Sequence, residues 1–584
     1  MSKKRLTRRS FLTGVAAAGA GAALAACAPE VVKETVVVEK VVEKPVEKTV
    51  EVEVEKVVKE TVVVEKVVEK EAEELEGEIV VNVSVGSPAA WEVVANMYEA
   101  AHPKVDVILD LKRGDNDARD QFYRAQVASG APRMSLGNIN SLGDLFGEGV
   151  FVNWDDYMDR INPYTGEVWR ESFAAGALDV GRYSPTEQYM LSIQLVQILF
   201  FFNQNMAAEI GLDPSSPPQT WDELAEWLNT AADAGYIGMD MIEKGDRIDW
   251  FERIYADTWY STKQYWDLVK CHEGDFCYDP DKADFMTGDW QNDPTFDDPD
   301  KVDYNKVRAY ANFRDGWWLT EKDERIVPMM NEMRKVINPT TLAPGWRGIT
   351  TPNPLLFYSG RALCVYDGGW MLSSFDKSIK RLQAGEFLTV EEGEPTPTPD
   401  PALAGVEGFD LGLFPSPQQT HPDIEVNFQR TIEQPIGFWG IPVKDQKQNE
   451  LEIDFAMFCT SPKVVAARWA AELDPNNAEG SVIGPPAING VEMPGKWKDV
   501  FGQLKFQGNC QKPHPKGMTQ NGLPGNLFEW RRMMADFYDG DITAEEFRDE
   551  LRTMRDNNFE EELKTQRLTL ADLDTPEKKP PTFD

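Results

Sequence analysis

A chain of 584 residues is too long for one ordinary domain, so two or more compact units are expected. It carries 98 acidic against 60 basic residues, a net charge of −38, which argues against a nucleic-acid partner and a strongly anionic substrate. Six cysteines and four histidines, none in metal-ligand spacing, give no reason to expect a metal site.

The first 26 residues read as a targeting signal and are set aside from the fold. Arg8-Arg9 lies in a twin-arginine pattern, a small-residue apolar run spans Gly14 to Ala23, and Leu24-Ala25-Ala26-Cys27 fits a lipobox. Cys27 is then the lipidated first residue of the mature chain, and a diacyl-type anchor holds a protein stably on a membrane. Removing five basic and no acidic residues leaves 55 basic against 98 acidic, net −43. No later apolar run approaches the ~20 residues of a spanning helix. Lipidated residue and low-complexity tether together occupy 27–77. The motif VVKETVVVEKVVEK at 31–44 recurs unchanged at 57–70. Its valine clusters recur every five residues and leave no helical stripe, so an extended tether is expected, reaching ~130 Å, with a helical stalk as the alternative.

Ile79 to Val85 is a β-branched run ended by Gly86-Ser87-Pro88. Trp91, Val94, Ala95 and Tyr98 then share a helix face, and Val105 to Leu109 reads as a second strand. Strand, helix and strand within ~30 residues make a βαβ unit and a parallel sheet. Met190 to Phe202 is strand-like. Thr220 and Glu223 form a capping box opening a helix with Leu224, Trp227 and Leu228 inward. Residues 279–303 hold nine aspartates without EF-hand order and read as a solvated acidic loop. Cys271 and Cys277, six apart, suit a local disulfide in an oxidising compartment, while Cys364 and Cys459 lie in apolar runs. In Phe357–Trp370, an apolar run Ala362–Tyr366 is followed by Asp367-Gly368-Gly369 and an indole, so Trp370 ends a strand where open α/β sheets bind ligands. Gly437 to Pro442 reads as a strand, Glu450 to Phe458 opens a helix, and Leu527 to Leu563 is helical.

Phosphate loops, dinucleotide fingerprints, nucleophile elbows and zinc motifs are all missing from the sequence, so no enzyme and no cofactor is expected. Seventeen tryptophans, many in polar company, suit a neutral polyol whose C–H faces stack on indole.

The order of motifs resembles a known family. Tyr98-x-x-x-His102-Pro103, then Gly211-Leu212 leading to Pro218-x-Thr220-Trp221-x-Glu223-Leu224, then Gly360-Arg361-Ala362 before Gly369-Trp370, and Gly437-x-x-Gly440-Ile441-Pro442 follow in register from about 78 to 570. They are similar to extracellular solute-binding proteins of family 1, the maltose-binding-like carbohydrate receptors of ABC importers. The resemblance implies an α/β, two-lobe periplasmic-binding-protein-like fold (type II) whose lobes are joined by hinge strands. Lobe 1 would comprise 78–194 and 435–488. Lobe 2 would comprise 198–430, with an insertion around 236–345, completed by C-terminal helices and tail at 489–584. It implies a monomeric, membrane-anchored receptor outside the cytoplasm that passes a carbohydrate, an oligosaccharide, to permease subunits. Solute contacts are expected from Trp370, Asp367 and Gly369, from Phe528 and Trp530, from Ser87, Asn138, Asn140 and Gln194, and from Trp346. Asp367 is equally suited to capping its turn, Trp91 reads as core, and Trp439 is balanced between the two. Ser192 stands where many members carry proline. A same-fold receptor for a polyamine, glycerophosphodiester or peptide is the alternative, and a surface glycan adhesin or hydrolase a more distant one.

Overall fold

The computed structural model describes residues 31–39, 61–69 and 74–583, apart from breaks at 113–115, 140–141, 175, 179–181, 185, 243–246, 350–353, 387, 390–397, 400–402, 404, 478, 506 and 513–526. The two copies of the valine-rich repeat do not run on as one extended tether. Val31–Glu39 and Thr61–Glu69 pair antiparallel, Val36 opposite Val64, so that the β-preferring backbones satisfy each other's hydrogen bonds. Cys27 lies outside the described residues.

The folded part opens with Gly77–Asn82 (β1), Pro88–Ala101 (α1), Val105–Leu109 (β2), Asn116–Ala128 (α2) and Leu136–Asn138 (β3). The chain then crosses at Leu195–Val196 (β4) into Ile198–Asn203 (β5), Trp221–Asp233 (α3), Ile237–Asp240 (β6) and Arg247–Trp259 (α4). After the insertion come Ala362–Gly368 (β7), Met371–Gln383 (α5) and Leu411–Phe414 (β8). Gln434–Pro435 (β9) crosses back to Trp439–Gly440 (β10), Gln446–Cys459 (α6) and Pro462–Glu472 (α7), and Leu527–Tyr538 (α8) and Ala544–Thr565 (α9) follow.

These strands build two four-stranded sheets. The first runs β10-β3-β1-β2, with β1 parallel to β2 and β3 and β10 antiparallel. The second runs β6-β7-β5-β8, with β6 and β7 parallel and β5 antiparallel to both β7 and β8. The expected βαβ unit is β1-α1-β2, and Trp91, Val94, Ala95 and Tyr98 are its buried face. The Thr220/Glu223 capping box is present in full at the start of α3.

Three segments join the lobes. The sequence suggested one strand from 190 to 202; it breaks instead where β4 pairs with β9, a two-residue ribbon, before β5 enters the second sheet. Ser192 donates its Oγ–H to the Ile436 carbonyl at 2.5 Å, a cross-hinge bond that proline has no group to make. The third segment, 481–488, runs alongside: Leu195 N–H donates to Pro485 O (2.9 Å) and Ala487 N–H to Ile193 O (2.8 Å).

Most of the tryptophans in polar company are core residues. Trp259, Trp266, Trp290 and Trp318 of the insertion, and Trp346 just after it, are buried in one cluster with Trp530 of α8, and Trp439 packs on Trp91 in the other lobe. Helices Lys263–Val269, Lys306–Arg314 and Ile326–Val336 turn one face each onto that cluster, which is why charged neighbours in sequence did not mean exposure. The aspartate-rich segment is only partly solvated: Asp297 is fully buried between Arg430 (2.5 Å) and Lys512 (2.5 Å), and Arg430 also holds Asp257 at 2.8 Å. These three ion pairs repay part of the desolvation and pin the aspartate-rich segment to α4 through Arg430. Cys271 and Cys277 form a disulfide; Cys364 and Cys459 are free and buried, and Cys510 is buried. Among the described residues no helix is long and apolar enough to cross a membrane and no side-chain group suits a metal ion.

Candidate functional site

β7 is buried over its whole length, launched by Gly360 at φ +64° and paired on both sides. Its last residue, Gly368, lies opposite Ile198 at the foot of the hinge, so the strand delivers Gly369 and Trp370 to the junction of the lobes. Gly369 N–H donates to Gln197 O at 2.7 Å, and a Cβ here would stand 2.6 Å from the Ile483 carbonyl oxygen of the third crossing segment. A Cβ on Gly368 would come within 2.3 Å of the Trp370 ring. The glycine pair therefore serves two close approaches, one to the hinge backbone and one to the indole. Ser481 Oγ–H donates to Trp370 O at 3.0 Å, a further tie to the crossing segment.

Trp370 itself is half-buried and begins α5. Beside it stands Trp250, also half-buried, on the first turn of α4, with ring centroids 5.5 Å apart and planes at 72°. Edge-to-face packing of this kind is the favoured geometry of aromatic pairs. Sequence reading missed Trp250; its one signal is Asp249-Trp250-Phe251-Glu252, an indole flanked by acids at a helix start after β6. Helix α8 is tied to the same turn by Arg531 and Asp249, 2.5 Å apart.

The other expected contacts divide. Phe528, at the start of α8, is 73% exposed. Trp530, two residues on, faces the lobe-2 core, as does Trp346, whose Nε1–H donates to Asp539 Oδ1 at 2.7 Å. Asp367 pairs with Arg247 at 2.6 Å and takes the Gly368 N–H at 2.7 Å. Ser87 is the α1 N-cap; its Oγ accepts from Ala90 N–H (3.3 Å) and Asn477 Nδ2 (2.8 Å), and its N–H donates to Glu472. Asn138 accepts from Ser84 N–H and donates to Phe438 O, latching β1 to β10. Gln194 accepts the Ile483 N–H and sits inside the hinge. Six of the ten residues thus face inward with their polar groups engaged or their rings in core. Asn140 lies outside the described residues. Trp439 is core, stacked beneath the Arg468 guanidinium together with Trp91.

Asp240, at the end of β6, accepts the Phe357 N–H at 3.0 Å. Burial pushes its carboxyl up to about 6, with Arg247 opposing and Asp367 adding to the rise.

Two open sheets joined by three crossing segments make a two-lobe α/β architecture. In sequence, the profile of the bacterial extracellular solute-binding protein family matches residues 83–270. Among solved structures, ligand-free RafE of Streptococcus pneumoniae is similar in fold, with a TM-score of 0.50 at 14% identity over 83% of this chain and 98% of that one. RafE in complex with raffinose (0.48, 14%, 82% and 98%) and a family 1 extracellular solute-binding protein from Bifidobacterium longum subsp. infantis (0.49, 14%, 83% and 100%) give comparable values. No curated protein matches the chain significantly.

Proposed function

We propose that this chain is a lipid-anchored receptor outside the cytoplasm that captures a neutral carbohydrate, an oligosaccharide, and passes it to the permease of an ABC importer. It acts as a monomer that binds and releases, with no bond made or broken. The observation that carries the reading is Trp370: an indole presented half-buried where the lobes meet, with Trp250 at its side. Apolar ring faces bounded by polar surface are what a pyranose requires. Raffinose, the solute of the RafE complex, is a first candidate class. The signal at 1–26 and Cys27 support the anchoring, and the paired repeats after it support a stand-off from the membrane.

The cation alternative asks for carboxylates turned toward the solute. Asp367, three residues before Trp370, is instead engaged with Arg247, which favours the neutral ligand. The test is mass spectrometry of solute carried through purification, followed by calorimetric titration with raffinose, maltotriose and tri-N-acetylchitotriose. Binding of one of these supports the reading. Silence toward neutral glycans at millimolar concentration, with a polyamine or peptide recovered instead, overturns it.

A further inference from the structure

Arg247 and Asp367 lie behind the two indoles, each three residues before one of them. Arg247 opens α4 and precedes Trp250; Asp367 nears the end of β7 and precedes Trp370. The guanidinium donates to one carboxylate oxygen from both Nε (3.0 Å) and Nη2 (2.6 Å), while the other oxygen takes the Gly368 N–H. The side chains are 5% and 7% exposed. A buried pair at this depth is poor value as stability alone, since apolar residues of like size often do as well. What it supplies is a directional tie between two elements that otherwise meet through apolar packing.

We propose that Arg247 and Asp367 are a positioning pair for the cleft: their ion pair fixes α4 against β7 and so holds Trp250 and Trp370 as a perpendicular corner, which selects the terminal ring of an oligosaccharide. The proposal rests on Trp370 facing the solute, as proposed above. Three restraints converge on the corner: Gly368 beneath the Trp370 ring, Trp250 at its side, and the ion pair behind. Perpendicular walls accept one sugar ring, face against one indole and edge against the other. A chain continuing past both walls would need coplanar platforms, so the corner ends the chain it binds. Locking a contacting side chain through a buried neighbour is how a site keeps its geometry within fractions of an ångström.

The test uses the full chain. Asp367→Asn keeps the size and the Gly368 acceptor but removes the charge; Arg247→Lys is the conservative partner. Because a lone buried charge destabilises, the double variant Arg247→Met, Asp367→Leu serves where a single one fails to fold. The readouts are the exciton-coupled circular-dichroism band of the indole pair, identified by its loss in Trp250→Phe, and titration with raffinose, maltotriose and tri-N-acetylchitotriose beside their constituent monosaccharides. Asp367→Asn and the double variant are expected to melt cooperatively, lose the band, and bind the preferred trisaccharide about tenfold more weakly, ~1.4 kcal/mol, with Arg247→Lys in between. A band and an affinity both unchanged in Asp367→Asn overturn the positioning role. A wild type that binds none of the sugars, with the band still lost in the variants, overturns the carbohydrate reading and leaves the positioning pair standing.

Discussion

Gly369 is the point where a single methyl group tests how the site is tied to the hinge. An alanine Cβ there would stand 2.6 Å from Ile483 O and 3.4 Å from Gln197 O. Both are backbone carbonyls, so no side chain can swing aside. Relief requires the loop to move by ~0.8 Å away from the crossing segment, the kind of overpacking that costs ~1–3 kcal/mol. The same movement stretches the 2.7 Å bond from Gly369 N–H to Gln197 O, worth about 1 kcal/mol more. Gly369→Ala should therefore destabilise the protein by ~2–4 kcal/mol and weaken solute binding, because Trp370 moves with the loop. Gly348→Ala is the control: its Cβ meets nothing within 4 Å, and its φ is not positive. That change should lie between neutral and ~1 kcal/mol stabilising. Urea unfolding followed by tryptophan fluorescence compares the two. Equal midpoints would refute the close approach to Ile483.

Three further outcomes follow from the buried charges and the disulfide. Asp240 has a carboxyl raised from 3.8 to about 6, so the native state binds more protons than the unfolded chain across that window and this group's contribution to stability falls as pH rises through it. Asp240→Asn should lose that slope and gain up to ~3 kcal/mol at pH 7; parallel stability–pH curves for wild type and variant would contradict the assignment. Arg430→Met leaves Asp257 buried without its guanidinium and should cost ~3–5 kcal/mol in urea midpoints; a loss under 1 kcal/mol would mean the network carries no load. The paired Cys271→Ser, Cys277→Ser change opens a short loop, its two cysteines six positions apart in sequence, and should cost ~2 kcal/mol by chain entropy. An unchanged midpoint under reductant would exclude that contribution.

Local pattern carried much of the fold. The β1-α1-β2 unit and the α3 capping box are each written within a short window of residue types, and the buried strand before Trp370 is a run of apolar residues. Distant pairings were less legible. The break in the run from 190 to 202 depends on β9, more than 200 residues away, and no local signal marks it. Ser87, Asn138 and Gln194 carry the polar groups a solute needs, yet they face Glu472, Phe438 and Ile483, all more than 280 residues on. Residue type suggests a contact; only tertiary placement decides whether the contact is a solute or the protein itself. Trp250 was missed for the converse reason. Its chemistry is ordinary in a chain with 17 tryptophans, and only its packing against Trp370 sets it apart.

The central claim is that Trp370 presents its indole to a neutral sugar between two lobes. The most direct test is calorimetric titration of wild type and Trp370→Ala with the same oligosaccharide panel. The account predicts saturable binding of at least one trisaccharide by the wild type, and a loss of ~1–3 kcal/mol in the variant with its melting transition retained, as for other stacked rings. Equal affinities in the two proteins would contradict it.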